Sequence, residues 1–283
     1  MSKGALVCFW SGVLLMVSGF IYSGWWAVDG ASLAGPVSMR KPILFGLSTG
    51  VTLLSLTWVI NRLTSHRGDD ALFSSLGAAL VVEVALIDLQ QFRGVPSHFN
   101  HQTPFDSVVT NLMGILILWA TVLIVLLTFR AFRQSNLQPD ECIVMRAGLV
   151  YLALACGLGI AITVIGENQL AAGAAPETFG SAGVMKFPHG IPLHAIQILF
   201  VQAWVLRAVG APPEDQVRSL WASAAAIGFA TLYGVVQTSL GAPRFPPQGA
   251  AWTFAALTVL AGLLAMFFGR PRRSDAARVA YGG

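Results

Sequence analysis

A short polar stretch, residues 93–106, interrupts an otherwise apolar chain and carries most of the side chains that could do chemistry. It contains Arg93, His98, Asn100, His101 and Asp106. Imidazoles bind metals and exchange protons near neutral pH. A guanidinium group holds a carboxylate or a phosphate through paired hydrogen bonds. The stretch therefore predicts a polar site for metal or acid–base chemistry.

Three histidines are candidate metal ligands. His98 and His101 lie three residues apart, and His189 stands at the start of a later apolar run. With neighbouring carboxylates they could supply the three or four ligands of a divalent metal, and an imidazole could also bind haem iron. Pro96 and Pro104 favour an irregular loop, where histidines also serve by hydrogen bonding to loop carbonyls. A metal or haem cofactor and a purely structural role are thus both open.

Two further ionisable residues are predicted inside the membrane. Glu83 and His194 lie in different apolar runs, each roughly 10–12 Å from the same membrane surface at the rise of an α-helix. Ionisable groups at such a depth are costly and commonly mark functional sites. We therefore predict Glu83, His194 and the loop residue Asp106 as catalytic acids or bases. A hydrogen bond that locks two helices together is the structural alternative for Glu83.

Four residues are candidate contacts to a substrate. Lys41 and Arg93 lie where helices are predicted to begin or end, and could bind a carboxylate or a lipid phosphate. Asn100 lies in the polar stretch, and Gln197 follows His194 by one helical turn. Basic side chains at an interface also reach toward lipid headgroups without any bound ligand. The predicted ligand is therefore a small anionic molecule or a lipid, with headgroup contact as the alternative.

The composition assigns the chain to a membrane. It is 55% hydrophobic and only 11% charged, whereas a soluble domain is about 25% charged. Apolar runs of roughly 20 residues, long enough to cross a bilayer as helices, recur along the chain. They predict an all-α, polytopic transmembrane helical bundle, a single membrane domain over residues 1–283. The predicted spans, about eight, are 5–28, 43–61, 71–91, 107–129, 144–165, 188–208, 219–240 and 249–269.

The loop charges predict an orientation. Twelve of the 17 Lys and Arg residues fall in the segments on the side of the N-terminus, and five fall on the other side. Basic loops stay in the cytoplasm, so both termini are predicted to lie there, and the chain is predicted to be integral to the cell (inner) membrane. The 93–106 stretch then faces away from the cytoplasm. The basic residues are spread thinly between spans, which argues against a nucleic-acid partner and leaves the lipid bilayer as the predicted one.

A faint internal repeat relates the two halves of the chain. Residues 39–42 resemble residues 185–188, and Gln90, Gly94 and Pro96 match residues at an offset of 147. A shift of four spans preserves orientation, so residues 1–135 and 140–283 could form two parallel four-helix halves. Prolines that begin or end helices at an interface produce such matches by chance, so both interpretations stay open.

Three classes of function follow from these patterns. The first is a metal- or haem-dependent membrane enzyme or redox protein with a pocket that opens away from the cytoplasm. The second is an assembly or scaffold subunit that binds another component of a membrane complex. The third is a transporter of small solutes, against which the apolar inner half of the fourth span, residues 115–128, argues.

Overall fold

The computed structural model describes residues 1–176 and 185–242. Within them the chain forms eight α-helices joined by short connections. They are α1 Lys3–Asp29, α2 Arg40–Ile60, α3 Asp69–Phe92, α4 Pro104–Arg133, α5 Pro139–Ala171, α6 Lys186–Leu193, α7 Ala195–Ala208 and α8 Pro213–Ser239. The predicted span at 249–269 lies outside the described residues.

Helices α6 and α7 are two segments of a single span, which extends from Lys186 to Ala208. The break falls at His194, whose backbone N–H bonds to the carbonyl of Pro192 instead of continuing the helical pattern. A proline inside a helix removes one backbone hydrogen bond and bends the axis. The break therefore places the His194 side chain at a bend rather than on a straight helical face.

Seven helical spans are long and apolar enough to cross a membrane in the described part of the chain. Each of the first seven predicted spans coincides with one of them, which confirms the all-α transmembrane bundle. The chain is an integral membrane protein. Helices α2 and α4 begin, and helices α3 and α5 finish, at the same end of the bundle. We call this the loop end, because residues 93–103 connect α3 to α4 there.

The first two helices approach each other closely through glycines. An added Cβ at Gly12 would lie 2.9 Å from the carbonyl oxygen of Gly50, and one at Gly46 would lie 2.8 Å from the Cα of Gly19. Small residues allow two membrane helices to pack backbone against backbone. This contact holds α2 beside α1, and the opposite side of α2 faces the rest of the bundle.

The remaining helices continue from this pair. Helix α3 packs against α1 and α2, α4 lies between α3 and α5, and α5 contacts α6, α7 and α8. Helix α2 also touches α7, so the two halves of the chain meet along α2 as well as along α4 and α5. Their shared core consists of side chains at most 2% exposed, including Leu53, Leu56, Leu76, Leu127, Leu149 and Ile196.

Ion pairs join helix ends at the end of the bundle opposite the loop end. Arg130 on α4 binds both carboxylate oxygens of Asp69 at 2.8 Å, and Arg62 after α2 binds Glu141 on α5 at 3.0 Å. Arg207 on α7 bonds to Asp140, which lies beside Glu141 in the first turn of α5. Paired charges of this kind hold neighbouring helices in a defined arrangement. Some of the basic residues from which the orientation was predicted thus form ion pairs with acidic residues.

Candidate functional site

A polar clip fastens the 93–103 loop to the helices on either side. Arg93 donates to the side chains of Gln90 and Asp106. Gln90 also donates to Asp106 Oδ1 at 3.0 Å, and Thr103 donates to Asp106 Oδ2 at 2.6 Å. Both carboxylate oxygens of Asp106, a residue only 2% exposed, are therefore bonded within the clip. Asp106 and Arg93 are brought together by the structure, and their contacts fix the loop.

A buried asparagine and a strained phenylalanine hold the middle of the loop. Asn100 is 2% exposed; its amide donates to the Pro96 carbonyl at 3.1 Å and its side-chain oxygen accepts from the backbone of Gln102 at 3.2 Å. Phe99 has φ 58°, a backbone region that bulky residues rarely adopt. Its ring lies on Gly166 of α5, where an added Cβ would be 2.5 Å away. Both ends of the Asn100 side-chain amide, which was predicted to contact a substrate, thus form hydrogen bonds within the loop.

This loop geometry directs a line of polar contacts into the bundle. Lys41 Nζ, at the start of α2, donates to Ser97 Oγ at 3.1 Å, and Ser97 Oγ lies 2.9 Å from His98 Nδ1. The other ring nitrogen of His98, Nε2, is 4.0 Å from Glu83 Oε1 on α3. The four side chains form what we call the relay: Lys41, Ser97, His98 and Glu83. It connects the helix start at the loop end to a carboxylate within α3.

The relay has a direction. Because Lys41 donates to the Ser97 oxygen, the hydroxyl hydrogen of Ser97 is available to His98 Nδ1. The N–H of the imidazole then lies on Nε2 and faces Glu83. Burial, together with the positive charges of Lys41 and Lys186, lowers the pKa of His98 to about 3. His98 is therefore a neutral imidazole at neutral pH, with a hydroxyl on one nitrogen and a carboxylate near the other.

Glu83 ends the relay with an unused oxygen. Its side chain is 5% exposed. Within residues 1–176 and 185–242, Oε2 is buried without a hydrogen-bond partner. A buried carboxylate normally has partners because its desolvation is expensive. An unsatisfied oxygen facing a polar cluster is the feature expected of a group that accepts a proton or binds a polar ligand.

One face of α2 positions two separate histidines. Lys41, Phe45, Ser48 and Thr52 follow one another at intervals of four, three and four residues, so they form a single stripe. The ring of Phe45 lies 5.7 Å from the ring of His98. Further along the stripe, toward the middle of the bundle, the other two residues contact the α6–α7 span. The stripe therefore aligns the loop and that span on one surface of α2.

The second histidine that contacts this stripe is His194. Its Nε2 lies 3.2 Å from Ser48 Oγ, and Gln197 donates to Thr52 Oγ1 at 3.4 Å. The side chain of Gln197 also interacts with that of His194. The sequence placed Glu83 and His194 at similar depths; the structure pairs Glu83 with His98 and His194 with Ser48. Gln197 and His194 thus lie together, against the same face of α2 that bears Lys41.

The other two predicted metal ligands have contacts of their own. His101 lies 3.3 Å from Ser107 Oγ and 3.4 Å from Glu167. His189 Nδ1 lies 2.7 Å from the carbonyl of Ala155, with its ring against Gly159 of α5. Across the described ranges no three or more His, Cys, Asp or Glu side chains are gathered so that they could hold a metal ion. The three predicted ligands are thus distributed among different partners.

Ser97 and Thr52 are among the site residues that the sequence reasoning missed. Ser97 lies in the relay, and Thr52 contacts Gln197. Ser97 immediately precedes His98, and Thr52 completes a helical stripe with Lys41, so both signals were present in the sequence. Serine and threonine are common in membrane helices and loops, which is why their spacing alone did not single them out.

An apolar layer closes the bundle beneath the site. Leu53 and Leu56 follow Thr52 on α2, and Ile196 lies beside Gln197; all three are fully buried. Leu149 and Leu152 of α5 complete this layer. Packed aliphatic side chains exclude water. The polar groups described above therefore lie on the loop-end side of this apolar layer, which separates them from the opposite end of the bundle.

Comparison with known proteins gives no match: no family model, no curated protein and no solved structure is similar to the chain. The class that the fold defines is an integral membrane protein built as a helical bundle. Any finer function has to be argued from the site.

Proposed function

We propose that the protein is a membrane-embedded enzyme that acts on an anionic lipid from the extracytoplasmic side, by acid–base chemistry at His98 and Glu83. The observation that carries this is the relay, in which a cation, a hydroxyl, a neutral imidazole and a buried carboxylate follow one another. In enzymes that use it, proton transfer by positioned side chains increases the reaction rate by about 100- to 10,000-fold.

The two chemical roles divide along the relay. Neutral His98 accepts a proton from a hydroxyl at Nδ1, and Glu83 stabilises the imidazolium that results, because it faces Nε2. The separation of 4.0 Å is longer than a hydrogen bond, and such contacts commonly tighten when substrate binds. Lys41 supplies positive charge beside the reacting hydroxyl. An anionic group is therefore favoured as the part of the substrate that approaches this end.

A lipid is favoured by the neighbouring surface. At the loop end, an apolar pocket of about 200 Å³ lies between α1 and α2 and is lined by Ser23, Trp26, Leu33, Arg40, Ile43 and Leu44. Its one cationic lining residue, Arg40, precedes Lys41 in sequence. An apolar surface with a guanidinium at its edge suits an acyl chain whose headgroup is negatively charged. Phosphatidylglycerol is a simple lipid with these properties.

The apolar layer beneath the site supports an enzyme over a transporter. A solute that crosses the membrane needs polar contacts on both sides of its binding site in at least one state, and on α2 the fully buried Leu53 and Leu56 follow Thr52 toward the opposite end. The metal-ion version has less support, since no group of three ligands is gathered by the described residues. A scaffold role has no particular contact in its favour.

The test is lipid hydrolysis by the purified protein. The wild-type chain is reconstituted in vesicles that contain phosphatidylglycerol, with phosphatidylcholine vesicles as the matched uncharged control, and released products are identified by mass spectrometry. We expect hydrolysis of phosphatidylglycerol, at least about 100-fold slower in H98Q and E83Q and unchanged in H66A, a histidine beyond α2 at the opposite end. Absence of turnover in the wild-type protein would contradict the proposal, as would turnover that H98Q and E83Q leave unchanged.

A further inference from the structure

Building on the proposed function, we infer that Ser97 is the nucleophile of an acyl-transfer reaction on carboxylic esters. Its hydroxyl lies between Lys41 Nζ, at 3.1 Å, and His98 Nδ1, at 2.9 Å. A serine is a weak nucleophile until a neighbouring base can take its proton and a third group orients that base. Here the base is His98, and the third group is Glu83, near the far side of the imidazole ring.

The arrangement resembles a serine–histidine–acid triad with the ring nitrogens exchanged. The serine contacts Nδ1 and the carboxylate faces Nε2, whereas in the common arrangement these nitrogens are reversed. Either nitrogen of an imidazole can accept a proton while the other carries one. The hydrogen bond from Lys41 adds a feature of its own, because a cation beside Oγ stabilises the negative charge that develops when the hydroxyl proton leaves.

The loop holds Ser97 as a fixed group. Ser97 is 3% exposed, and Asn100, three residues later, is anchored within the loop. Phe99 is the only non-glycine residue with positive φ among residues 1–176 and 185–242. Strained backbone persists where surrounding structure imposes it, and it occurs frequently at active sites. The strain lies one residue from His98 and two from the hydroxyl that we assign as the nucleophile.

The reaction balances with water as the second substrate. Ser97 Oγ attacks the ester carbonyl carbon and its proton passes to His98 Nδ1. The carbon–oxygen bond to the alcohol breaks, and the alcohol leaves with that proton, so an acyl ester of Ser97 remains. Water then attacks this ester, gives a proton to His98, and the fatty acid leaves as Ser97 regains its hydrogen. With phosphatidylglycerol the products are a lysolipid and a fatty acid.

Among residues 1–176 and 185–242, two other serines have hydroxyls within hydrogen-bond distance of a histidine nitrogen and provide an internal comparison. Ser48 Oγ is 3.2 Å from His194, and Ser107 Oγ is 3.3 Å from His101, which in turn contacts Glu167. The Ser107 set is solvent-exposed, where water competes for each hydrogen bond and weakens the electrostatic effect. For Ser48 no carboxylate contact to its histidine is found within the described residues. Ser97 alone of the three combines a lysine, a histidine and a carboxylate.

Covalent labelling tests this assignment without knowledge of the natural substrate. The full-length protein in phosphatidylglycerol vesicles is treated with an alkyl fluorophosphonate, which loses fluoride when a reactive serine attacks its phosphorus. Peptides are then mapped by mass spectrometry. We expect one adduct, on Ser97, which S97A abolishes, which forms at least about 10-fold more slowly in H98Q and K41M, and which S107A leaves unchanged. Elution of each variant as a monodisperse peak confirms that it is folded.

The outcomes separate the two proposals. An adduct on Ser107 or Ser48, or no adduct in the wild-type protein, overturns the assignment of Ser97. If S97A also retains phosphatidylglycerol hydrolysis while H98Q and E83Q lose it, acid–base catalysis stands and the covalent step fails. If Ser97 is labelled but phosphatidylglycerol is not hydrolysed, the nucleophile stands and the lipid substrate fails. Labelling that H98Q and K41M do not slow would contradict activation by the relay.

Discussion

Lys41 Nζ donates a hydrogen bond to Ser97 Oγ at 3.1 Å, although the two residues are 56 positions apart in sequence. Lys41 begins a membrane helix and Ser97 lies in a loop, so this contact joins a fixed helical end to the segment that carries His98. Most lysines at a membrane interface extend toward headgroups. This one turns toward a serine–histidine pair, and that geometry underlies the predictions that follow.

Replacing Glu83 by glutamine is expected to stabilise the protein while it removes activity. The substitution removes a buried ionisable group whose Oε2 has no partner among the described residues, and active sites are often built at such a cost to stability. The melting temperature in detergent should rise, and phosphatidylglycerol hydrolysis should fall. The matched variant is E141Q at the opposite end, where Glu141 binds Arg62 at 3.0 Å. It should not raise the melting temperature. A lower melting temperature in E83Q would contradict the expectation.

Acid should destabilise the wild-type protein more than an H98Q variant. Burial, Lys41 and Lys186 lower the pKa of His98 from 6.5 to about 3. In the unfolded chain His98 gains a proton below about pH 6.5, whereas the folded protein resists it until about pH 3. The stability associated with neutral His98 is thus complete above pH 6.5 and is lost as the pH falls toward 3. Glu83 is the acidic group that faces the imidazole, at 4.0 Å.

The measurement for His98 is the melting temperature of both proteins at pH 7.5 and pH 4.5. Groups common to the two proteins, including Lys41 and Glu83, contribute to both changes, so the difference between them isolates His98. The wild-type value should fall further on acidification than the H98Q value. Equal decreases would show that His98 titrates normally.

An alanine at Gly166 should disturb the loop from a distance. Its Cβ would lie 2.5 Å from the ring of Phe99, so the ring or the backbone must move. Overpacking of this kind costs about 1–3 kcal/mol, and displacement of Phe99 should also slow labelling of Ser97. The control in the same helix is G157A, because a Cβ at Gly157 meets nothing within 4 Å. The F99A/G166A double variant should be less destabilised than the sum of the single variants.

Replacing Asp106 by asparagine should weaken the clip. Asp106 is 2% exposed and accepts hydrogen bonds from Arg93, Gln90 and Thr103. Hydrogen bonds to a charged acceptor are stronger than those to a neutral one, so loss of the charge should lower the unfolding free energy. Proteolysis within residues 93–103 and the melting temperature report the effect. S107A, at the next position, should change neither. If D106N behaves like S107A, the clip does not stabilise the protein.

Several side-chain partners in the site could not be read from the sequence. Hydropathy and helical rise place Glu83 and His194 at similar depths, but depth leaves helix rotation undetermined. The structure turns Glu83 toward His98 and His194 toward Ser48. Likewise, His98 and His101 are three residues apart, yet the positive φ of Phe99 lies between them and their contacts differ. Loop path and helix rotation depend on packing between distant segments, which periodicity does not encode.

The sequence by itself determined the helical spans and the concentration of polar groups at one end, because both follow from local composition. Bilayer thickness requires apolar runs of a certain length, and Pro96, Pro104 and Gly94 interrupt them. Only the tertiary structure decided that Asp106 belongs to a clip with Arg93 and that Ser97 joins Lys41 to His98. Such contacts form when helices that are distant in the chain pack side by side. Their energy depends on the relative positions of two segments, which the sequence of either one alone does not define.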